Sequence, residues 1–353
     1  MKLNKLFAVV LSLALLVASL GACTAIAEGN KVSVVTTIFP IYDWVRQIAG
    51  DSDQIEITML LDSGVDLHSY QPTAADIMKI ATCDVFIYVG GESDEWVEDA
   101  LHEAVNPAMI VINLLDTLGD DVKMEEIVEG MEHEHDHDED EHGEDHEHEE
   151  DHDHDEDAHD EDHDHDEDHE HEHEDEADEH VWLSLRNARQ LVIAIAAKLA
   201  EADPGQAETY RANADAYCAE LSALDAQYAE AMAQAAHKTI LFGDRFPFRY
   251  LADDYGLTYY AAFSGCSAET EASFQTIVFL AQKVDELGLP VVLTIEGANH
   301  RIAETVIQAT ANQDQRVLTL NSMQGTAAAD VQAGATYLAI MQANLAVLQE
   351  ALN

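Results

Sequence analysis

Between residues 132 and 180 the chain carries 31 acidic residues and 15 histidines, with not one Lys or Arg. Such a stretch has almost no apolar content to offset chain entropy, so no core can run through it and it is expected to stay disordered. Any fold must be assembled from the segments on either side. The stretch also owns much of the charge imbalance: the formal net charge of the 353-residue chain is -55, but elsewhere 40 acidic residues face 16 basic ones. Apolar residues make up 47% of the chain, enough for real cores in the flanks. Phosphate binding needs a basic face, so a chain this acidic disfavours nucleic acid as a partner.

The N-terminus reads as an export signal. Lys2 and Lys5 precede an apolar run over residues 6–20, which suits a signal-peptide core and is short for a membrane span. The ending Leu20-Gly21-Ala22-Cys23 resembles a bacterial lipobox, with residues 1–22 removed and Cys23 lipid-modified. Ordinary secretory cleavage near Ala25 or Ala27 is the alternative. The expectation is an exported chain, anchored by lipid on the outer face of the cytoplasmic membrane.

From Lys31 short β-rich runs alternate with helical patterns, which argues for parallel sheets covered by helices. Strands are expected at residues 32–38, 55–60, 84–89 and 109–113, with helices beginning near Pro40, Thr73 and Asp94. Beyond the acidic stretch, residues 185–202 show helical spacing. Asp203-Pro204 then offers an N-cap and first-turn proline for a helix to about Ala236, striped by Tyr210, Ala214, Tyr217, Leu221, Leu224 and Tyr228. A helix of that length, roughly 48 Å, spans a domain and is expected to bridge two lobes. A second series follows, with strands at 239–243, 258–262, 291–295 and 316–320 and helices from Phe248, Glu271, His300 and Ala327. The expected fold class is α/β: two four-stranded parallel-sheet lobes covered by helices and joined by one long rigid helix. The first lobe comprises residues 31–131 and 180–203, the insert 132–179, the linking helix 204–236 and the second lobe 238–353. Ligands in such sheets bind beyond the carboxyl ends of the strands, where the two rims would face each other.

Two histidines stand where such rims would be. His68 lies on the exit loop of the second strand, and His180 lies where the acidic stretch gives way to Val181-Trp182-Leu183. Each alone reads more readily as a solvated side chain than as a ligand. His102, His237 and His300 have no motif and are expected at the surface. Of the cysteines besides Cys23, Cys83 and Cys218 read as small buried hydrophobes, whereas Cys266 in Ser264-Gly265-Cys266-Ser267 is placed where it could join a site.

Together, these segments resemble the zinc/manganese solute-binding proteins of bacterial ABC transporters. The family's Gly-x-Asp-Pro-His-x-(Tyr/Trp)-Glu-Pro-Thr is matched by Gly64-Val65-Asp66-Leu67-His68-Ser69-Tyr70-Gln71-Pro72-Thr73. Its Asp-Pro-His-x-Trp-Leu is matched by Glu179-His180-Val181-Trp182-Leu183 with the preceding residues altered. Zinc-type members often carry a His- and acid-rich loop just before that second His. The C-terminal Tyr337-Leu338-x-x-Met341-x-x-Asn344-Leu345 also looks like the family's last helix. The resemblance implies one divalent metal held between two lobes and delivered to a membrane permease, with His68 and His180 as ligands. For the third ligand, a His or Glu in the family, Asp244 in Phe242-Gly243-Asp244-Arg245 is the nearest match, although its spacing to Tyr255-Gly256 is one residue longer. Asp244 either ligates or pairs with Arg245 or Arg249. Asn321-Ser322 stands where manganese-type members carry an Asp, so a fourth position falls to water or to one of Glu271, Cys266 and Glu296, each of which also reads as structural.

The insert's alternating pattern suggests weak, exchanging metal capture by His133, His135, His137, His146, His148, His152, His154, His163, His165, His169, His171 and His173. Imidazole-rich tracts suit zinc, nickel and copper, whereas manganese prefers oxygen, so Zn²⁺ leads, with Mn²⁺ still open at the main site. The expected partners are a divalent ion, an ABC permease and the membrane through the lipid, with the chain itself a monomer. Two other classes compete: a surface metal buffer or adhesin, and an exported zinc hydrolase. The hydrolase lacks an HExxH helix, a GxSxG elbow or an evident general base, so no enzyme is expected.

Overall fold

The structure is a computed structural model that describes residues 31–131, 176–267, 271–297 and 299–353. The expected signal segment with Cys23 and the twelve accessory histidines of the insert lie outside these residues.

The first lobe is built on β1 (Val32–Thr36), β2 (Ile55–Met59), β3 (Val85–Tyr88) and β4 (Ile110–Asn113), all parallel in the order β2-β1-β3-β4. Its helices are α1 (Phe39–Ala49), α2 (Ala74–Thr82), α3 (Trp96–His102), α4 (Leu114–Leu118) and α5 (Leu185–Ala202). Thr73 starts α2 where its sequence signal places it, through a reciprocal capping box with Asp76.

The chain then enters α6 (Ala207–Gln234), preceded by a 3₁₀ turn over Pro204–Gln206 that Asp203 caps through the Gly205 N–H. The regular part is 28 residues, or about 42 Å. Tyr210, Ala214, Tyr217, Leu221, Leu224, Tyr228 and Met232 are its buried residues, a three-four repeat that forms one stripe. That stripe packs on α5 and α1 and then on the second lobe.

The second lobe repeats the plan with β5 (Thr239–Phe246), β6 (Thr258–Ser264), β7 (Val291–Ile295) and β8 (Arg316–Leu320), again parallel, in the order β6-β5-β7-β8. Its helices are α7 (Arg249–Tyr255), α8 (Phe274–Leu287), α9 (Arg301–Ala309), α10 (Ala328–Gln332) and α11 (Tyr337–Ala351). β5 runs three residues past its expected end, because a register shift between Phe242 and Arg245 lets it continue beside β6.

The two lobes share one hydrophobic core, which runs from Val34 and Phe86 through Trp182 and Tyr228 to Phe242 and Tyr337. Hydrogen bonds cross the same boundary. The Trp182 indole N–H donates to Ser322 O at 2.8 Å, and the Tyr337 hydroxyl donates to Trp182 O at 2.6 Å. A smaller cluster around Leu241, Leu280 and Val284 fills the space under α8 and α9. Met124 and Ala177 form an antiparallel bridge, so residue 177, near the end of the insert, sits beside residue 124 on the body.

Candidate metal centre

The loops that leave β2, β3, β6, β7 and β8, together with the last residues of β5, gather between the lobes. His68 sits in a 3₁₀ turn over Leu67–Ser69, which Asp66 starts by accepting the His68 N–H at 3.0 Å. His180 enters from the end of the acidic stretch and is wholly buried, against the ring of Trp182. The two Nε2 atoms are 3.2 Å apart, although 112 positions separate the residues.

The other ring nitrogens are occupied. His180 Nδ1 lies 2.9 Å from an Asp178 carboxylate oxygen, and His68 Nδ1 lies 2.7 Å from the Ser93 hydroxyl. Glu179 stands behind the second pair, accepting the Ser93 N–H at 2.8 Å. Gly91 makes room for that carboxylate: a Cβ there would come within 2.4 Å of it, and its φ is +84°. With its Nδ1–H turned to the Asp178 carboxylate, His180 presents the lone pair of its Nε2 to His68. A cation placed between the two Nε2 atoms, a proton or a metal ion, would be held by both rings. Burial and the neighbouring His180 hold His68 far below the usual histidine range, at about 3. Burial opposes protonation of His180 as well, but Asp178 outweighs it and the pKa is raised.

Among the described residues, the His, Cys, Asp and Glu side chains whose donor atoms converge within 4.8 Å are His68, His180 and Cys266. Asp244 lies outside this group. Its Oδ1 accepts the Arg245 N–H at 2.9 Å and its Oδ2 the Ile295 N–H at 3.2 Å, so the carboxylate fastens the end of β5 to that of β7. Burial pushes its pKa up, against the pull of those two N–H groups. Neither arginine takes Asp244 as an ion-pair partner: Arg245 reaches across the cleft to Asp66 at 2.7 Å, and Arg249 pairs with Glu126. Glu296 binds the N–H and hydroxyl of Ser322 at 2.6 and 2.8 Å, and Glu271 is exposed. His300 departs from its expected surface position. It is half-buried, caps α9 with φ +57°, and lines a cavity of about 750 Å³ together with His68, Asp244, Arg245 and Gln324.

Sequence reasoning passed over Gln324, whose amide nitrogen lies 2.9 Å from His180 Nε2, and also Ser93 and Asp178. Asp178 carried a usable signal: a carboxylate two residues before a candidate ligand histidine is an orienting partner in waiting.

A family profile described as ZnuA, zinc-uptake complex component A, periplasmic, matches residues 34–351. The zinc-binding lipoprotein AdcA of Streptococcus pneumoniae serotype 4 is 33% identical over 352 residues, covering 96% of this chain and 60% of AdcA. The chain thus spans about 60% of the length of that relative. The high-affinity zinc uptake system protein ZnuA of Bacillus subtilis is 29% identical over 329 residues, 93% of this chain and 90% of that protein. Among solved structures, the Zn(II)-bound ZnuA-like domain of S. pneumoniae AdcA superposes with a TM-score of 0.64 at 27% identity, covering 91% of this chain and 99% of that domain. The paired sheets, the long bridging helix and the match over almost the whole described chain agree, and the protein is a member of the ZnuA family of periplasmic zinc-uptake components.

Proposed function

We propose that this chain is the extracytoplasmic capture protein of a zinc-uptake system, taking Zn²⁺ between its lobes and delivering it to an ABC permease. The observation that carries this reading is the His68–His180 pair, two imidazoles with opposed Nε2 atoms 3.2 Å apart and both Nδ1 atoms held by hydrogen-bond partners, Ser93 and Asp178. Zinc takes imidazole nitrogens at about 2.0–2.1 Å in tetrahedral geometry, which sets two such nitrogens roughly 3.4 Å apart. The pair is already near that span.

The neighbours named above supply zinc-binding and zinc-uptake precedents. The cleft has the chemistry for a carried ion. One ligand comes from the loop after β2 and the other from the segment before α5, and Trp182 walls off the buried side. Arg245 and Asp66 tie the two rims together. The insert, residues 132–179, ends on Asp178 and Glu179 directly before His180, so ions collected by its histidines would be released beside the main site. Export and a lipid anchor at Cys23 place the chain where a permease could receive its cargo.

Cells deprived of this protein should grow poorly under zinc chelation. Wild-type protein should restore growth, and His68→Ala, produced at equal level, should not. Full restoration by His68→Ala would overturn the proposal.

A further inference from the structure

We infer that Cys266 supplies the third protein ligand as a thiolate, giving a His₂Cys zinc site in which Asp244 takes no part. The inference rests on the carrier reading and names the donor set of the same site.

Three placements carry it. First, Cys266 Sγ and one ring nitrogen each from His68 and His180 all lie within 4.8 Å of one another. Zinc–sulfur bonds of about 2.3 Å and zinc–nitrogen bonds of about 2.0–2.1 Å call for sulfur–nitrogen spans of roughly 3.6 Å, so closing the site takes a shift of no more than about 1 Å. Second, the loop is shaped to lie against the imidazole. A Cβ on Gly265 would stand 3.0 Å from Cε1 of His180 and 3.0 Å from Phe246 O, so only glycine lets the chain approach the ring this closely. The Cys266 N–H is also anchored, donating to Glu125 Oε1 at 2.9 Å. Third, the alternative donor is engaged: both Asp244 oxygens hold backbone N–H groups, and Arg245 is committed to Asp66.

The step is an exchange of a proton for an ion. The Cys266 S–H bond breaks, the sulfur lone pair forms the zinc bond, and the proton leaves to solvent. Burial and the carboxylates of Glu125, Glu179 and Asp178 disfavour a bare thiolate here, so the sulfur becomes anionic together with the incoming cation. One thiolate against Zn²⁺ leaves a net positive centre, which Asp178 and Glu179 face. A thiolate also favours zinc over manganese, whose preference is for oxygen.

The test uses the full-length chain loaded with Co²⁺, whose thiolate complexes show a sulfur-to-cobalt charge-transfer band in the near ultraviolet. The band should appear in wild type, bleach when zinc is added, survive Cys83→Ser and Cys218→Ser, and vanish in Cys266→Ser. Chelator competition should show Cys266→Ser retaining zinc more weakly than wild type by more than the roughly 10–100-fold expected for loss of an outer-shell partner. A His68-dependent tight zinc with no charge-transfer band, or with unchanged retention in Cys266→Ser, would overturn the thiolate ligand and leave the carrier reading standing. Absence of any His68-dependent tight zinc would overturn both.

Discussion

Asp178 and the Ser93–Glu179 relay orient the two histidines by different routes. Asp178 binds His180 Nδ1 directly, whereas Glu179 fixes the Ser93 backbone, whose hydroxyl meets His68. Asp178→Ala should therefore weaken zinc binding by roughly 10–100-fold, read by chelator competition; an unchanged affinity would remove Asp178 from the site. Asp94, beside this relay, makes a different prediction. Burial, with the Glu179 charge assisting, lifts its carboxyl from 3.8 to about 7, despite N–H bonds from Gly90 and Val89. The fold thus holds a proton through that window that the unfolded chain has released. The stability linked to this group is present at low pH and is lost as pH rises towards 7, by up to about 4 kcal/mol. Asp94→Asn keeps an acceptor for both N–H groups and has no proton to lose. In the metal-free protein, wild type should lose stability relative to Asp94→Asn between pH 4 and 7 in urea unfolding, and a constant difference would contradict this. His68 and His180 were legible in sequence because each stands in a motif at a strand exit or a composition boundary. Gln324 was not, since its amide reaches His180 across 144 positions. Nor does a linear sequence show that the two oxygens of Asp244 are taken up by backbone N–H groups.

The helix α6 carries the lobes' shared core on a single stripe, with Leu221 fully buried in it and the Tyr228 hydroxyl donating to Met341 O at 2.6 Å. Leu221→Ala should cost about 2–5 kcal/mol. Because the stripe belongs to one continuous cluster, both lobes should still unfold in one transition. Two separated transitions, followed by tryptophan fluorescence and far-ultraviolet dichroism, would show that the core is not shared. This level of the fold was the most readable, since the three-four spacing of large residues is a local property of the sequence. Strand positions were readable for the same reason, from β-branched runs bounded by turn residues. The extension of β5 was not, because a register shift is decided by the neighbouring strands. The short α4 was also missed: five residues give no periodicity to detect, and its start depends on the Asn113 side chain accepting the Asp116 N–H.

At the scale of the whole molecule, the continuous core and the return of α11 onto α1 leave little freedom for a wide hinge. Opening is instead restrained at the rim, where Arg245 and Asp66 pair across the cleft with side chains 18% and 24% exposed. Asp66 also holds the His68 turn, so Arg245→Ala should loosen a ligand as well as the rim. Zinc should then dissociate about tenfold faster, equivalent to about 1.4 kcal/mol, and stopped-flow chelator chase would measure it. The central claim is that one tight zinc site belongs to the folded body rather than to the histidine-rich insert. The most direct measurement is competitive zinc titration of the protein lacking residues 132–175, side by side with the same protein carrying His68→Ala. One tight equivalent that disappears with His68→Ala is the predicted result. No tight equivalent in the shortened protein, or one indifferent to His68, would contradict the account.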